Sequence, residues 1–224
     1  MKTTDIVIDW GWVEEIILKK ERISPASHSS ITENLIESID AAKRLALPKI
    51  ATATKPVLSC GESSVKLRND REFRSSALAS HMKGSTHLYL FIVTIGPAIE
   101  DKASALMMEA DGLSGYFLDR IGSFAVESLA ENLEQSLRKE CESEGGSLSS
   151  RFSPGYCDWP IEDQVKLNTI LDFSRAGVHL NENCMMKPMK SISGVIGAGP
   201  KGLFSRKSSH CEICNMKNCG YRRV

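Results

Sequence analysis

Neither sign of charge prevails in this sequence, where 28 Lys and Arg stand against 28 Asp and Glu. A balanced chain with no long basic face has no general attraction for nucleic acid or for an anionic membrane. Long apolar runs are missing too. The longest, around Leu88 to Val93, is far short of the ~20 residues that span a bilayer as a helix. A secretion signal is also absent: Asp5, Asp9, Glu14 and Glu15 occupy the N-terminal region where a basic segment and an apolar stretch would stand. These absences predict a cytoplasmic protein with no membrane or nucleic-acid partner. There is no internal repeat and no long low-complexity segment.

What is present suits one folded unit. With 224 residues, 42% hydrophobic and 25% charged, the chain can bury a substantial core and lies near the upper range for a single domain. Leu35, Ile36, Ile39 and Ala42 have helical spacing, which predicts a helix over 31–47 ending before Pro48. Residues 55–84 are polar and mixed. Leu88 to Ile95 reads as a buried strand, and Pro97 is well placed to open a helix. Leu113, Phe117, Ile121, Phe124, Leu129, Leu133 and Leu137 keep one face of a further helix apolar, and their aromatics read as core. Residues 142–150, with Gly145 and Gly146, read as a loop leading to Arg151.

Val195 to Gly202 matches the pattern G-x-G-x-x-G of dinucleotide-binding turns. That fingerprint needs a following helix, a second strand and an acidic residue about twenty positions on. Only 22 residues remain after Gly202, and they are polar and cysteine-rich. The glycines therefore read as a turn leaving a strand.

Those last residues carry their own pattern. Cys211, Cys214 and Cys219 form C-x2-C-x4-C, a compact arrangement whose thiolates can converge on one metal, with zinc and iron-sulfur clusters as the fitting centres. A fourth ligand has to come from Cys157, Cys60, Cys184, His210 or an exogenous molecule. From residue 201 onward six Lys or Arg accompany a single acid, Glu212, and this positive charge suits an anionic thiolate cluster or an acidic partner. The expected organisation is a main domain over 1–204 and a small metal-binding tail over 205–224.

A second motif lies at Arg151-Phe152-Ser153-Pro154-Gly155-Tyr156, or R-x-x-P-G-Y. Proline presets one backbone angle, glycine permits the next, and main-chain groups are left to face a ligand. A guanidinium beside such a turn can grip a carboxylate while the turn reads an amino group and an adenine edge. About thirty residues on come Pro188 and Ser191-Ile192-Ser193-Gly194.

Together these segments resemble the activation domain of cobalamin-dependent methionine synthase. Thr94 to Glu100, Leu118 to Ser123 and, more weakly, Ile8-Asp9-Trp10 extend the likeness over about 200 residues. The resemblance implies an α+β fold, with helices packed around a twisted, mainly antiparallel sheet. It also implies S-adenosylmethionine binding: Arg151 holding the methionine carboxylate, Ser153, Pro154, Gly155 and Tyr156 forming the contact turn, and Asp9 meeting the amino group. The implied activity is reductive reactivation of a corrinoid protein by methyl transfer to cobalt. The expected partner is a corrinoid-binding protein or a methionine synthase lacking its own activation domain. A ferredoxin or flavodoxin is the expected electron donor, and an iron-sulfur cluster in the tail is favoured over zinc for electron delivery. Alternatives are a different corrinoid partner, or a zinc-stabilised interaction module. Two departures from the pattern stand out. Val195-Ile196-Gly197 replaces an aromatic expected after Ser-x-Ser-Gly, and the acidic residue expected before the arginine has no clean counterpart, since Glu142 and Glu144 are offset.

Overall fold

The computed structural model describes residues 6–24, 30–68 and 71–204. The element order is α1 (Trp10–Glu21), α2 (Ser30–Leu45), β1 (Lys49–Cys60), β2 (Ser64–Leu67), β3 (Glu72–Arg74), α3 (Ser76–His81), β4 (His87–Thr94), α4 (Ala98–Met108), α5 (Gly112–Ser143), β5 (Gly146–Leu148), α6 (Asp163–Leu171), β6 (His179–Leu180), β7 (Met186–Lys187) and β8 (Ser191–Pro200). A 3-10 turn at Phe173–Ala176 follows α6. Six strands form one sheet in the order β3-β2-β1-β4-β8-β5, with β6 and β7 forming a separate ribbon. Every pairing among the described strands is antiparallel. The α+β class expected from the sequence is the class observed.

β4 lies inside the sheet and is apolar on both faces, so its alternate side chains supply two cores. Phe91 and Val93, with Ile95 just beyond the strand, pack with α1, α2, α4 and α5. Leu88, Leu90 and Ile92 point the other way, into a second core with Phe73, Leu78, Met82, Phe152, Trp159 and Phe173. Each such side chain contributes about 1.5–3 kcal/mol of burial free energy.

Of the apolar stripe expected on α5, Phe117, Ile121, Phe124, Leu129, Leu133 and Leu137 lie in the first core, whereas Leu113, in the first turn, is exposed. Asp111 caps its N-terminus, accepting from the Ser114 amide at 3.3 Å. Three expectations are corrected. Residues 55–84 are not merely polar and mixed: they hold the end of β1, then β2, β3 and α3, because the strands of a sheet edge need few apolar residues of their own. The loop over 142–150 contains β5, which pairs Gly146 to Leu148 with Pro200 to Ala198. The glycines of G-x-G-x-x-G also differ from a turn leaving a strand. Gly197 and Gly199 lie within β8 itself, and an added Cβ would collide with Ser85 at Gly197 and with Leu203 at Gly199. Their role is close packing under the 82–85 and 200–203 turns.

No helix among the described residues is long and apolar enough to cross a membrane.

Candidate ligand site at the Arg151 turn

The two motifs forty residues apart in sequence are adjacent in space. Phe152 and Val195 exchange both backbone hydrogen bonds at 2.9 Å, which lays the Arg151 segment alongside β8 just past Ser-x-Ser-Gly. Ser193, buried, donates to Gln164 Oε1 at 2.6 Å and ties β8 to α6. Ser191 donates to the Pro188 carbonyl at 2.7 Å.

The turn itself is built from local bonds. Gly155 has φ +90°, a conformation open to glycine. Its amide donates to the Trp159 carbonyl at 2.8 Å, the Tyr156 amide to the Ser153 carbonyl at 3.1 Å, and the Trp159 amide to the Tyr156 carbonyl at 2.9 Å. The main-chain contacts expected of Ser153 and Tyr156 are therefore restricted. Their carbonyls keep a second lone pair each, but the Tyr156 amide is already engaged. Ser153 and Pro154 are buried, whereas Gly155, Tyr156, Cys157 and Asp158 form an exposed rim. Beneath that rim Trp159 stacks on Phe152 at 6.0 Å between ring centroids and meets Phe73 edge-on at 5.5 Å. Its indole N–H donates to Asp163 at 2.8 Å. Asp158 latches the rim to α3: it accepts from Ser75 Oγ at 2.5 Å and from the Ser76 and Ala77 amides at 2.7 and 3.1 Å. Burial works against its charge, but these bonds outweigh it and hold the Asp158 carboxyl below the usual range.

Arg151 is only 4% exposed. Burial opposes its charge, but Glu127, through charge and a hydrogen bond, and Glu134 raise its pKa above the ordinary arginine value. Glu127 Oε2 accepts from Nη2 in a very short contact. Glu134 Oε2 lies 3.9 Å from Nε and 3.4 Å from the Arg151 amide. Glu134 also pairs with Arg138 at 3.0 Å, and Arg138 in turn donates to the Leu148 and Ser149 carbonyls. The acidic partners of Arg151 are thus Glu127 and Glu134 on α5, not a residue shortly before the arginine in sequence. Helical spacing of seven is the signal that could have revealed them, since it puts both carboxylates on one face. Nη1 of Arg151 is buried with no hydrogen-bond partner, a donor left over in a site where an unpaired donor is costly.

Asp9 approaches the same stretch of α5. Its amide donates to Ser128 Oγ at 2.9 Å, one residue beyond Glu127, and its carboxylate caps α1 by accepting from the Trp12 amide at 3.0 Å. Asp9 is exposed. His81 completes the underside: its Nε2 lies 3.0 Å from both the carbonyl and the hydroxyl of Ser150, and burial keeps its pKa below the ordinary value.

Cys157 is exposed at the rim with φ +53°, Cys184 is half-buried with φ +59°, and Cys60 is half-buried with its thiol near the Met82 carbonyl at 3.3 Å. Burial pushes the Cys60 thiol up. Among the described residues no group of three or more His, Cys, Asp or Glu could hold a metal ion. Cys211, Cys214, Cys219 and His210 lie outside the described residues.

An antiparallel sheet with α1, α2, α4 and α5 on one face and α3 and α6 on the other, and a buried arginine under a Pro-Gly turn, defines a protein of the α+β class. The family model for the vitamin B12 dependent methionine synthase activation domain matches residues 75–206, and the chain belongs to that family. Its fold is similar to the crystal structure of the MetH reactivation domain bound to AdoHcy, with a TM-score of 0.63, 16% identity, and 91% of this chain and 76% of that one covered. No curated protein matches the sequence.

Proposed function

We propose that this protein binds S-adenosylmethionine and presents its methyl group to the cobalt of a corrinoid held by a partner protein, returning an oxidised corrinoid to its methylated form. The observation that carries the reading is Arg151. A guanidinium buried beneath an exposed turn, with Nη1 unpartnered, is a receptor for a ligand carboxylate. Ser153, Pro154, Gly155 and Tyr156 form the wall beside it, and Asp9 flanks it across α5. Family membership and the solved relative with AdoHcy bound support the same ligand class. In this reaction one electron reduces cobalt(II) to cobalt(I), which takes the methyl group as the carbon–sulfur bond breaks, leaving S-adenosylhomocysteine. The protein's part is to hold the sulfonium end in line.

The partner in this reading is a corrinoid-binding protein or a methionine synthase without its own activation domain, with a ferredoxin or flavodoxin as electron donor. The tail cysteines Cys211, Cys214 and Cys219, with Cys157 at the rim as fourth ligand, would hold an iron-sulfur cluster or zinc; this part rests on their spacing alone.

The test is to mix the protein with a cobalt(II) corrinoid protein, S-adenosylmethionine and a low-potential reductant, and to follow the corrinoid absorption spectrum. Appearance of methylcobalt dependent on the protein is expected. An unchanged spectrum, with active corrinoid protein confirmed separately, overturns the reading.

A further inference from the structure

The last turn of a helix carries the negative end of its dipole, so cations stabilise it and carboxylates do not. α5 ends against this rule. Glu140 and Glu142 stand in its final turn and Glu144 is its C-cap, and that turn holds no Lys or Arg. Just before it, Arg138 is committed to Glu134 and to the Leu148 and Ser149 carbonyls, which leaves Lys139 beside three carboxylates. Their field reaches inward: burial and then Glu144, with Glu142 adding and Arg138 opposing, push the Cys141 thiol up.

The described chain leaves the fold at the same place. β5 follows α5 directly, and its Gly146 faces Pro200 at the end of β8. Beyond Pro200 the chain turns, the Leu203 amide donating to the Pro200 carbonyl at 3.1 Å. The Phe204 amide then donates at 3.2 Å to the hydroxyl of Ser147, which stands just after Glu144 and the two glycines. Residues 205–224 lie outside the described residues. They carry Arg206, Lys207, Lys217, Arg222 and Arg223 against the single acid Glu212. Arg206 and Lys207 follow Phe204 almost at once, and an extended chain covers ~3.3–3.6 Å per residue, so both begin within reach of the three carboxylates.

We propose that the C-terminal turn of α5 is the docking surface for the chain's own basic tail, with Arg206 and Lys207 set against Glu140, Glu142 and Glu144. The cations supply what the end of the helix lacks. Each exposed ion pair is weak by itself, but a tethered segment meets its partner at high effective concentration. Docking at this point also anchors the start of the C-x2-C-x4-C pattern, since Cys211 follows Lys207 closely in sequence. The inference stands apart from the ligand reading and uses none of the residues at the Arg151 turn.

The experiment is zero-length carbodiimide cross-linking of the full chain, which joins a lysine only to a carboxylate it touches, with the products mapped by mass spectrometry. The monomer should yield a bond from Lys207 to Glu140, Glu142 or Glu144, at least about fivefold less of it in ~0.5 M salt, where exposed charges are screened. Limited trypsin digestion gives a second readout. At low salt, cleavage after Arg206 and Lys207 should be about tenfold slower than in a synthetic peptide of the same tail sequence, the scale of two or three exposed ion pairs. Joint replacement by Glu140→Gln, Glu142→Gln and Glu144→Gln should remove most of that protection. Circular dichroism melting shows whether this triple variant folds; where it does not, Glu144→Lys serves alone, at an exposed position past the helix, and should speed cleavage about threefold. A Lys207 cross-link that forms only between two molecules assigns the tail to a second copy and overturns the proposal. So does cleavage at the free-peptide rate with no cross-link from Lys207 to the end of α5.

Discussion

Gly194 and Phe152 approach so closely that a Cβ on Gly194 would lie 2.5 Å from the Phe152 carbonyl oxygen and 2.9 Å from Ser153 Oγ. This contact joins Ser-x-Ser-Gly to R-x-x-P-G-Y. Backbone cannot yield as a flexible side chain can, so Gly194 sets how near the Arg151 segment lies to β8. Gly194→Ala should cost about 1–3 kcal/mol of stability, as overpacking does, and should weaken ligand binding by moving the turn. Denaturant unfolding and calorimetry on the same preparation check both; an unchanged midpoint with wild-type affinity would show that the segment has slack.

Arg151→Ala should weaken S-adenosylmethionine by about 1.5–3 kcal/mol, the range for a charge-assisted contact. It should also destabilise the fold, because Glu127 and Glu134 lose their shared cation. Arg151→Lys separates the two effects. Charge is kept and stability largely recovers, but the planar fork is gone, and titration calorimetry should still find weaker binding.

Acid should loosen the underside of the site before it unfolds the sheet. The folded pKa of His81 is depressed by burial below the ordinary 6.5, so the unfolded chain takes up a proton first. Stability from this group is present above about pH 6.5 and declines as pH falls through the folded value. Asp158 has a depressed carboxyl, and its contribution is present above the ordinary carboxylate value and lost as pH falls further. Melting temperature against pH should therefore drop in two stages. His81→Gln should flatten the upper stage, and Asp158→Ala should remove the lower one while costing about 1 kcal/mol at neutral pH, the scale of a lost cap.

Replacing Cys211, Cys214 or Cys219 with serine should abolish metal binding while leaving calorimetric binding of S-adenosylhomocysteine intact. Iron, sulfide and zinc analysis after anaerobic purification checks the first half. Parallel Cys157→Ser, Cys60→Ser and Cys184→Ser variants identify the fourth ligand. Stoichiometric zinc with no visible absorbance would rule out an electron-delivering role for the tail.

Several features were legible in the chain because their cause is local. The apolar stripe of α5 follows from a 3.6-residue period, β4 from a run of β-branched and aromatic residues, and the Arg151 turn from a proline and a glycine whose backbone preferences need no neighbours. The mixed edge of the sheet was not legible. β1 to β3 alternate weakly, and Lys49 to Pro56 become strand by pairing with β4, a partner more than thirty residues away.

The sequence by itself determined the identity of the turn, the strand at the centre of the sheet and the long helix beneath it, since each depends on residues within a few positions of one another. The tertiary structure alone decided which carboxylates face Arg151. Glu127 and Glu134 stand 24 and 17 residues before it, on a helix that the sheet holds against the turn. The spacing of seven puts the two carboxylates on one face of α5, but their meeting with Arg151 depends on how two cores orient α5 and β8, and that orientation is fixed only when both are packed.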